Sequence, residues 1–198
     1  MEGDDLTVLV VDDNDGCREL FALWLEPDHE VWTAPDGGAA LEALDATVDL
    51  VVLDREMPGK TGIEVARAIA DGELDPHVVM VSSAAPDFDL VDVPIHDFVR
   101  KPILEDDLAT VVEEYRTQQA YRTALQQYFT LTAKVAALEA NQPEEALAES
   151  DQYARLRWLV DEKRAQVDEA LSRSESDWSV TFKTCTAPGD PAGERSGV

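Results

Sequence analysis

Short apolar runs alternate with amphipathic stretches along the first hundred residues. The runs at residues 7–11, 49–53 and 77–81 are typical of strands that are buried on both faces of a sheet. Residues 30–33 and 95–99 are predicted to add two shorter strands. Strands that alternate with helices indicate a doubly wound α/β fold with a five-stranded parallel sheet.

Each predicted helix of this region carries one apolar face. Asn14 or Asp15 is expected to cap the first helix, which Pro27 ends, and Thr61 is expected to cap the third. Apolar residues recur at positions i, i+3, i+4 and i+7 in these stretches, so one face should pack on the sheet. The residues predicted to face inward are Cys17, Leu20, Phe21, Trp24 and Leu25, then Ala40, Leu41 and Leu44, then Ile63, Ala66, Ile69 and Ala70.

The pattern changes after Pro102. Residues 104–140 read as one helix, which at about 1.5 Å per residue would be about 55 Å long. Pro143 interrupts it, and residues 144–173 are predicted to form a second helix. The product would be an antiparallel helical hairpin that packs on a second copy, on the α/β domain or on a partner, unless it stands alone. The first helix presents Leu104, Leu108, Val111, Val112, Tyr115, Leu125, Phe129, Val135 and Leu138. The residues near heptad spacing in the second are Leu156, Leu159, Val160, Lys163, Val167 and Leu171.

Charged residues follow three of the predicted strands. Asp12 and Asp13 follow the first strand, Asp54 follows the third and Lys101 follows the fifth. Parallel strands would bring them to one edge of the sheet. Three carboxylates that close repel each other, so they need a cationic side chain and a divalent cation, and oxygen ligands with room for water favour Mg²⁺. The sequence therefore predicts a metal-assisted phosphoryl acceptor at Asp54, unless Asp54 only opens a turn.

These residues resemble the receiver domains of two-component response regulators. The resemblance rests on Asp12-Asp13, Asp54, Ser82 after the fourth strand and Lys101-Pro102, and it covers about residues 6–115. It implies a flavodoxin-like, CheY-like fold. Residues 104–172 resemble the HalX module of haloarchaea, notably at residues 125–129 and 138–140. We expect a receiver domain over residues 1–115, a HalX-like hairpin over 116–173 and a disordered tail over 174–198.

The resemblance implies a role for each residue of the acidic site. Asp54 would accept a phosphoryl group from a histidine kinase, with self-phosphorylation and dephosphorylation as the only intrinsic chemistry. Asp13 and Asp54 would bind Mg²⁺ directly, Asp12 through water, and Glu56 through its backbone carbonyl. Lys101 would offset the remaining charge, next to a cis bond to Pro102.

The resemblance also implies two switch residues. Ser82, or Ser83 if the strand ends one residue later, would hydrogen-bond the phosphoryl oxygens, and Phe98 would move into the vacated space. The stretch between Ser82 and Lys101 has room for about two helical turns at most, because Pro86 and Pro94 interrupt it. Receivers normally have a fuller fourth helix there, so output through that face is in doubt.

The balance of charge limits the partners. The chain has 42 acidic and 16 basic residues, a net charge of −26, which disfavours DNA and acidic membranes and resembles proteins of salt-loving archaea. An acidic N-terminus without a signal-peptide pattern and the lack of a long apolar run predict a cytoplasmic protein. We expect a homodimer that binds an unidentified output protein through the hairpin.

Several alternatives remain at this stage. A DNA-binding transcriptional regulator would use the local basic cluster of the hairpin, Arg155, Arg157, Lys163 and Arg164. A degenerate receiver could serve as a dimerisation scaffold. A phosphatase of the haloacid-dehalogenase type would use residues 13–16 but leaves Asp54 and Lys101 unexplained, and an EF-hand fails because Val11 would stand at its first carboxylate position.

Overall fold

The centre of the protein is a five-stranded parallel sheet. The computed structural model describes residues 5–177. The sheet order is β2-β1-β3-β4-β5, with every neighbouring pair parallel. The strands are β1 (Thr7–Val11), β2 (Glu30–Ala34), β3 (Leu50–Asp54), β4 (His77–Ser82) and β5 (Asp97–Arg100). The predicted fold class is confirmed, and β3 and β5 start and end one or two residues later than predicted.

Two apolar layers cover the sheet. Alternate residues of each strand point to opposite faces, so Val8 and Val10 belong to one layer and Leu9 and Val11 to the other. Helix α1 (Asp15–Leu25) and the start of α4 (Glu105–Asn141) complete the first layer. Helices α2 (Gly37–Ala43) and α3 (Gly62–Ala70) complete the second. The three central strands, β1, β3 and β4, are therefore buried along their whole length, as the apolar runs predicted, whereas the edge strands β2 and β5 are partly exposed.

The helix caps agree with the sequence, but two inward-facing residues do not. Asn14 Oδ1 accepts the Cys17 N–H, and Thr61 forms a reciprocal capping box with Glu64. The prediction was wrong for Leu20 and Ala70, which are exposed. The contact stripe of α1 passes through Phe21, Ala22 and Leu25, about 100° around the helix from Leu20. In α3, Val65 takes the buried position, and Ala70 lies in the outer part of the last turn.

The connection from β4 to β5 contains no full helix. A single 3₁₀ turn, Phe88–Leu90, occupies it, in agreement with the predicted lack of room. Arg55, the residue after β3, reaches this turn: its Nη2 donates to Asp89 Oδ2 at 2.6 Å. The segment is thus attached to the loop that follows Asp54, while Phe88 and Val91 remain exposed.

Beyond the sheet, α4 continues without a break for 37 residues. Its first turns pack in the core through Leu108, Val111, Val112 and Tyr115, whereas Leu104, which precedes the helix, is exposed. The prediction of one helix over residues 144–173 was wrong. The chain forms α5 (Glu144–Ala148) and then α6 (Asp151–Asp177), because Ser150 Oγ accepts the Tyr153 N–H and starts a new helix.

Helices α4 and α6 form the predicted antiparallel hairpin. Near its tip, Tyr153 Oη donates to Glu139 Oε1 at 2.5 Å, and Arg157 pairs with the same carboxylate at 3.3 Å. Helix α6 reaches four residues beyond the predicted end of the hairpin at residue 173. The rest of the predicted tail, residues 178–198, lies outside the described residues. Within residues 5–177, no helix combines the length and apolar character needed to span a membrane.

The seam of the hairpin differs from the predicted one. Val135 and Val167 are buried as predicted, and Ala124, which was not predicted, is buried as well. The prediction was wrong for Phe129, which is 61% exposed, and for Leu138 and Leu171, which are also exposed. Leu125 and most predicted seam residues of α6 are partly buried. The helices meet along the small and β-branched side chains, since these allow close approach. The large side chain of Phe129 lies about 120–140° around α4 from Ala124 and Val135.

Candidate functional site

The carboxyl edge of the sheet gathers three carboxylates. Asp12 follows β1, and Asp54 ends β3, the neighbouring strand, in a register that pairs Val11 with Leu53. One carboxylate oxygen from each of Asp12, Asp13 and Asp54 lies within 4.8 Å of the others. Asp12 and Asp54 are only 1% and 5% exposed, while Asp13 is exposed. The exposed Asp13 therefore opens the cluster to solvent.

Lys101 joins the cluster from β5. Its Nζ donates to Asp12 Oδ2 at 2.7 Å and to Asp54 Oδ1 at 2.8 Å. The backbone N–H of Lys101 donates to the Ser82 carbonyl at 2.8 Å. The Lys101-Pro102 peptide bond is cis, as the resemblance implied. The structure thus brings together the three carboxylates and the ammonium that the sequence placed after separate strands.

The site carries more negative charge than Lys101 can offset. Burial raises the pKa of the Asp54 carboxyl; the Lys101 hydrogen bond and charge oppose this, and Asp12 and Asp13 raise the pKa further. Burial alone would lower the pKa of Lys101, but its hydrogen bonds to Asp12 and Asp54 outweigh burial and raise it. Burial is thus the main cause of the raised pKa of Asp54, whereas contact with two carboxylates is the cause of the raised pKa of Lys101.

These residues fit a small divalent cation. Carboxylate oxygens are hard ligands, the three carboxylates are close enough to share one ion, and one side of the cluster is open for water. The loop that carries Glu56 is fixed at both ends: the Arg55 N–H donates to the Val81 carbonyl at 2.8 Å, and the Gly62 N–H donates to the Arg55 carbonyl at 3.0 Å. Mg²⁺ is the ion that this donor set suits.

Ser82 and Phe98 lie beside the cluster rather than in it. Ser82 ends β4 and is fully buried, whereas Ser83 is exposed, so Ser82 is the strand-end serine. Its Oγ accepts the Ala84 N–H at 3.0 Å and is therefore engaged with its own loop. Phe98 is half-buried on β5, paired in register with Met80.

Sequence reasoning missed three residues that shape the site. Arg18 Nη1 donates to the Asp12 carbonyl at 2.6 Å, and Arg55 holds the segment after β4. Gly62 packs so closely on β3 that a Cβ there would lie 2.3 Å from the Asp54 carbonyl oxygen. A glycine directly after the capping Thr61 was a visible signal of close approach. The two arginine contacts depend on tertiary geometry and leave no such signal.

Residues 8–113 match the family model of the response regulator receiver domain, and residues 117–182 match the HalX domain. The chain belongs to the response regulator receiver domain family. The resemblance inferred from the acidic residues and Lys101 is therefore confirmed, together with the CheY-like fold. This response regulator joins a receiver to a HalX domain along one helix, α4.

Known proteins agree with this assignment. A putative transcriptional regulator of Haloferax volcanii is 35% identical over 170 residues, which cover 85% of this chain and 29% of that protein. The response regulator TrrA of Thermotoga maritima, solved in complex with Mg²⁺-BeF, is 33% identical, with a TM-score of 0.50 over 56% of this chain and 98% of that one. The chemotaxis protein CheY4 of Vibrio cholerae is 25% identical, with a TM-score of 0.52 over 56% and 98%.

The comparisons support a two-component response regulator. Receiver domains are phosphoacceptor switches, generally not enzymes, and their family implies a histidine kinase as partner and Mg²⁺ at the acidic pocket. The HalX match and the Haloferax relative connect the chain with haloarchaea, as the acidic composition indicated.

Proposed function

We propose that this response regulator accepts a phosphoryl group on Asp54 from the phosphohistidine of a histidine kinase. The observation that carries the proposal is the position of Lys101, whose ammonium bonds to Asp12 and Asp54 at once. An incoming phosphoryl group brings further negative charge to a cluster in which three carboxylates already outnumber the single ammonium of Lys101. Transfer therefore depends on charge neutralisation and positioning, which is how phosphoryl transfer is generally catalysed.

Each residue of the cluster has a distinct task in the transfer. A carboxylate oxygen of Asp54 attacks phosphorus, the bond from phosphorus to the imidazole nitrogen breaks, and its electron pair stays on the imidazole. Asp13 and Asp54 would hold Mg²⁺ directly, Asp12 would hold it through water, and the Glu56 backbone carbonyl would complete the protein ligands. When bound, Mg²⁺ neutralises charge on the carboxylates and the phosphoryl oxygens. Lys101 donates to a phosphoryl oxygen from the opposite side.

Ser82 and Phe98 report the modification. In the unmodified protein the Ser82 hydroxyl oxygen accepts from Ala84, so bonding to a phosphoryl oxygen requires the hydroxyl and its loop to move toward Asp54. Phe98 is half-buried in the layer beside this loop and follows into the space that is released. The change reaches the neighbouring segment of residues 83–92, which Arg55 holds.

Output passes through the hairpin to a second copy or to a partner protein. We propose a receiver over residues 1–115 and a HalX hairpin that starts at residue 116 and extends to the end of α6 at Asp177, joined by the continuous helix α4. The Haloferax relative is named a putative transcriptional regulator. The basic cluster of the hairpin is nevertheless poorly suited to DNA, because Arg157 pairs with Glu139 and Arg164 with Asp168. A protein partner is therefore favoured.

Labelling by acetyl phosphate tests the phosphoacceptor. With Mg²⁺ in molar KCl, the wild-type chain should take up one phosphoryl group, and Asp54→Asn should take up none while keeping its helical content. Asp89→Asn makes the same chemical change at an exposed carboxylate and should label normally. Full labelling of Asp54→Asn would place the acceptor elsewhere.

Light scattering in the same buffer should show a dimer, and a monomer at all concentrations would count against the hairpin as a dimer contact.

A further inference from the structure

Asp12, in the loop between β1 and α1, is held by hydrogen bonds to all of its polar atoms. Oδ1 accepts the Asn14 N–H at 2.9 Å and Oδ2 accepts from Lys101 at 2.7 Å. The Asp12 N–H donates to the Ala34 carbonyl at 3.3 Å, and the Asp12 carbonyl accepts from Arg18 Nη1 at 2.6 Å. Asp13 comes directly after this fixed residue and is exposed. Lys101 bonds to the other two carboxylates, so the position of the Asp13 carboxylate depends on its own backbone.

We propose that Arg18 is a positioning residue for the magnesium site, because its bond to the Asp12 carbonyl fixes the peptide that orients Asp13. The peptide group is planar, so the direction of the carbonyl also sets the direction in which the Asp13 Cα follows. The Arg18 side chain is only 16% exposed, and its second nitrogen pairs with Asp15, so the guanidinium is held from two sides. A planar fork of this kind loses little freedom when both bonds form. This inference rests on the proposed function, since it gives Asp13 the role of a metal ligand.

Two effects of removing Arg18 have opposite signs. Losing the bond to Asp12 frees the Asp12-Asp13 peptide and should weaken Mg²⁺ binding, because residues that orient metal ligands typically contribute about 10–100-fold in affinity. Losing a positive charge near three carboxylates should instead strengthen Mg²⁺ binding. Asp15 already pairs with the guanidinium and offsets part of its charge, so the charge effect should be the smaller of the two and positioning should dominate. The sign of the change therefore separates the two effects.

Calorimetric titration of the full chain with Mg²⁺ in molar KCl is the direct test. Arg18→Gln should bind Mg²⁺ about tenfold more weakly than wild type. Arg18→Lys keeps the charge and one donor and should recover part of the loss. Asp15→Asn is the matched control, because it removes the ion pair but leaves the Arg18 bond to Asp12, and its affinity should stay within about twofold of wild type. Urea unfolding without Mg²⁺ checks that each variant is folded.

Labelling by acetyl phosphate gives an independent readout. In Arg18→Gln the Mg²⁺ concentration for half-maximal labelling should rise about tenfold, while the rate at saturating Mg²⁺ should change by less than about twofold. Unchanged or tighter Mg²⁺ binding in Arg18→Gln would overturn the inference, as would a loss confined to the maximal rate. If Arg18→Gln does not fold, Arg18→Lys carries the same test. A wild-type chain that binds no Mg²⁺ would instead reject the metal site of the proposed function.

Discussion

His77 should make the stability of the protein fall steeply in mild acid. The side chain starts β4 at the end of the sheet opposite the acidic cluster and is only 6% exposed. Its ring stacks on His96 with centroids 4.3 Å apart and meets the edge of Tyr115 at 5.3 Å. Burial, together with positive charge on His96 and Arg122, lowers the pKa of His77 to about 4.

The size of the effect follows from the difference between the two pKa values. In the unfolded chain His77 titrates near its ordinary value of about 6.5, so between about pH 6.5 and 4 the unfolded state binds a proton that the folded state does not. Stability is therefore complete above about pH 6.5 and is lost as the pH falls toward 4. Between pH 7.5 and 4.5 the loss assigned to His77 is about 2.5 kcal/mol.

Urea unfolding of wild type and His77→Phe from pH 7.5 to 4.5, at constant KCl, measures this loss. Phe keeps an aromatic ring in the stack but cannot take up a proton, so its free energy of unfolding should fall by about 2.5 kcal/mol less than that of wild type over this range. His29→Phe is the control: it retains His77 and should keep that part of the pH dependence. If the free energies of unfolding of wild type and His77→Phe changed equally with pH, the pKa of the His77 ring would not be lowered in the folded protein.

Three further changes test other parts of the structure. Gly62→Ala should lower the free energy of unfolding by about 1–3 kcal/mol, because the new Cβ would meet the Asp54 carbonyl oxygen at 2.3 Å. In Gly16→Ala the nearest neighbour of the new Cβ is a flexible side-chain oxygen at 3.3 Å, so urea unfolding should show no measurable loss. Val167→Ala should destabilise the hairpin by about 1–2 kcal/mol, more than Phe129→Ala, since Val167 is buried and Phe129 exposed. Equal or reversed losses in thermal unfolding would mean that Phe129 is part of the packed seam. Asp89→Asn should change the global free energy of unfolding by less than about 1 kcal/mol, because the half-exposed ion pair between Arg55 and Asp89 contributes little overall. It should speed amide hydrogen exchange over residues 83–92, which this pair restrains. Unchanged exchange would mean that Arg55 does not hold the segment.

The strands and the acidic site could be predicted because their signals are local. Each buried strand is an uninterrupted apolar run, and Asp12, Asp54 and Lys101 stand at or next to the ends of such runs. Parallel strands bring their ends to one edge whatever the details of packing, so a correct fold class placed the cluster correctly. An error of one residue in the bounds of β3 did not change this, since Asp54 remained at the end of the strand.

The hairpin was harder to predict because its signal is weak. Val135 was predicted and is buried, but Leu125 and Phe129 lie about 100–140° around α4 from Ala124, and their apolar size favoured them over this small residue. Close approach of two helices selects small side chains, which a hydrophobic pattern does not weight. The interruption before α6 was missed for a related reason: Ser150 is a good capping residue, but the stretch lacks the Gly or Pro that usually marks a break.

Because α4 is unbroken, a small rotation of its first turns would displace its far end by a much larger distance. Its first turns pack in the core of the receiver through Leu108, Val111, Val112 and Tyr115. From Tyr115, the pivot, about 26 residues, or about 39 Å of helix, extend to Asn141. A tilt of about 5° at the pivot would sweep the far end through about 3 Å. A displacement too small to alter the packing around the sheet would thus be amplified at the remote tip, where a companion molecule could sense it as a change of position.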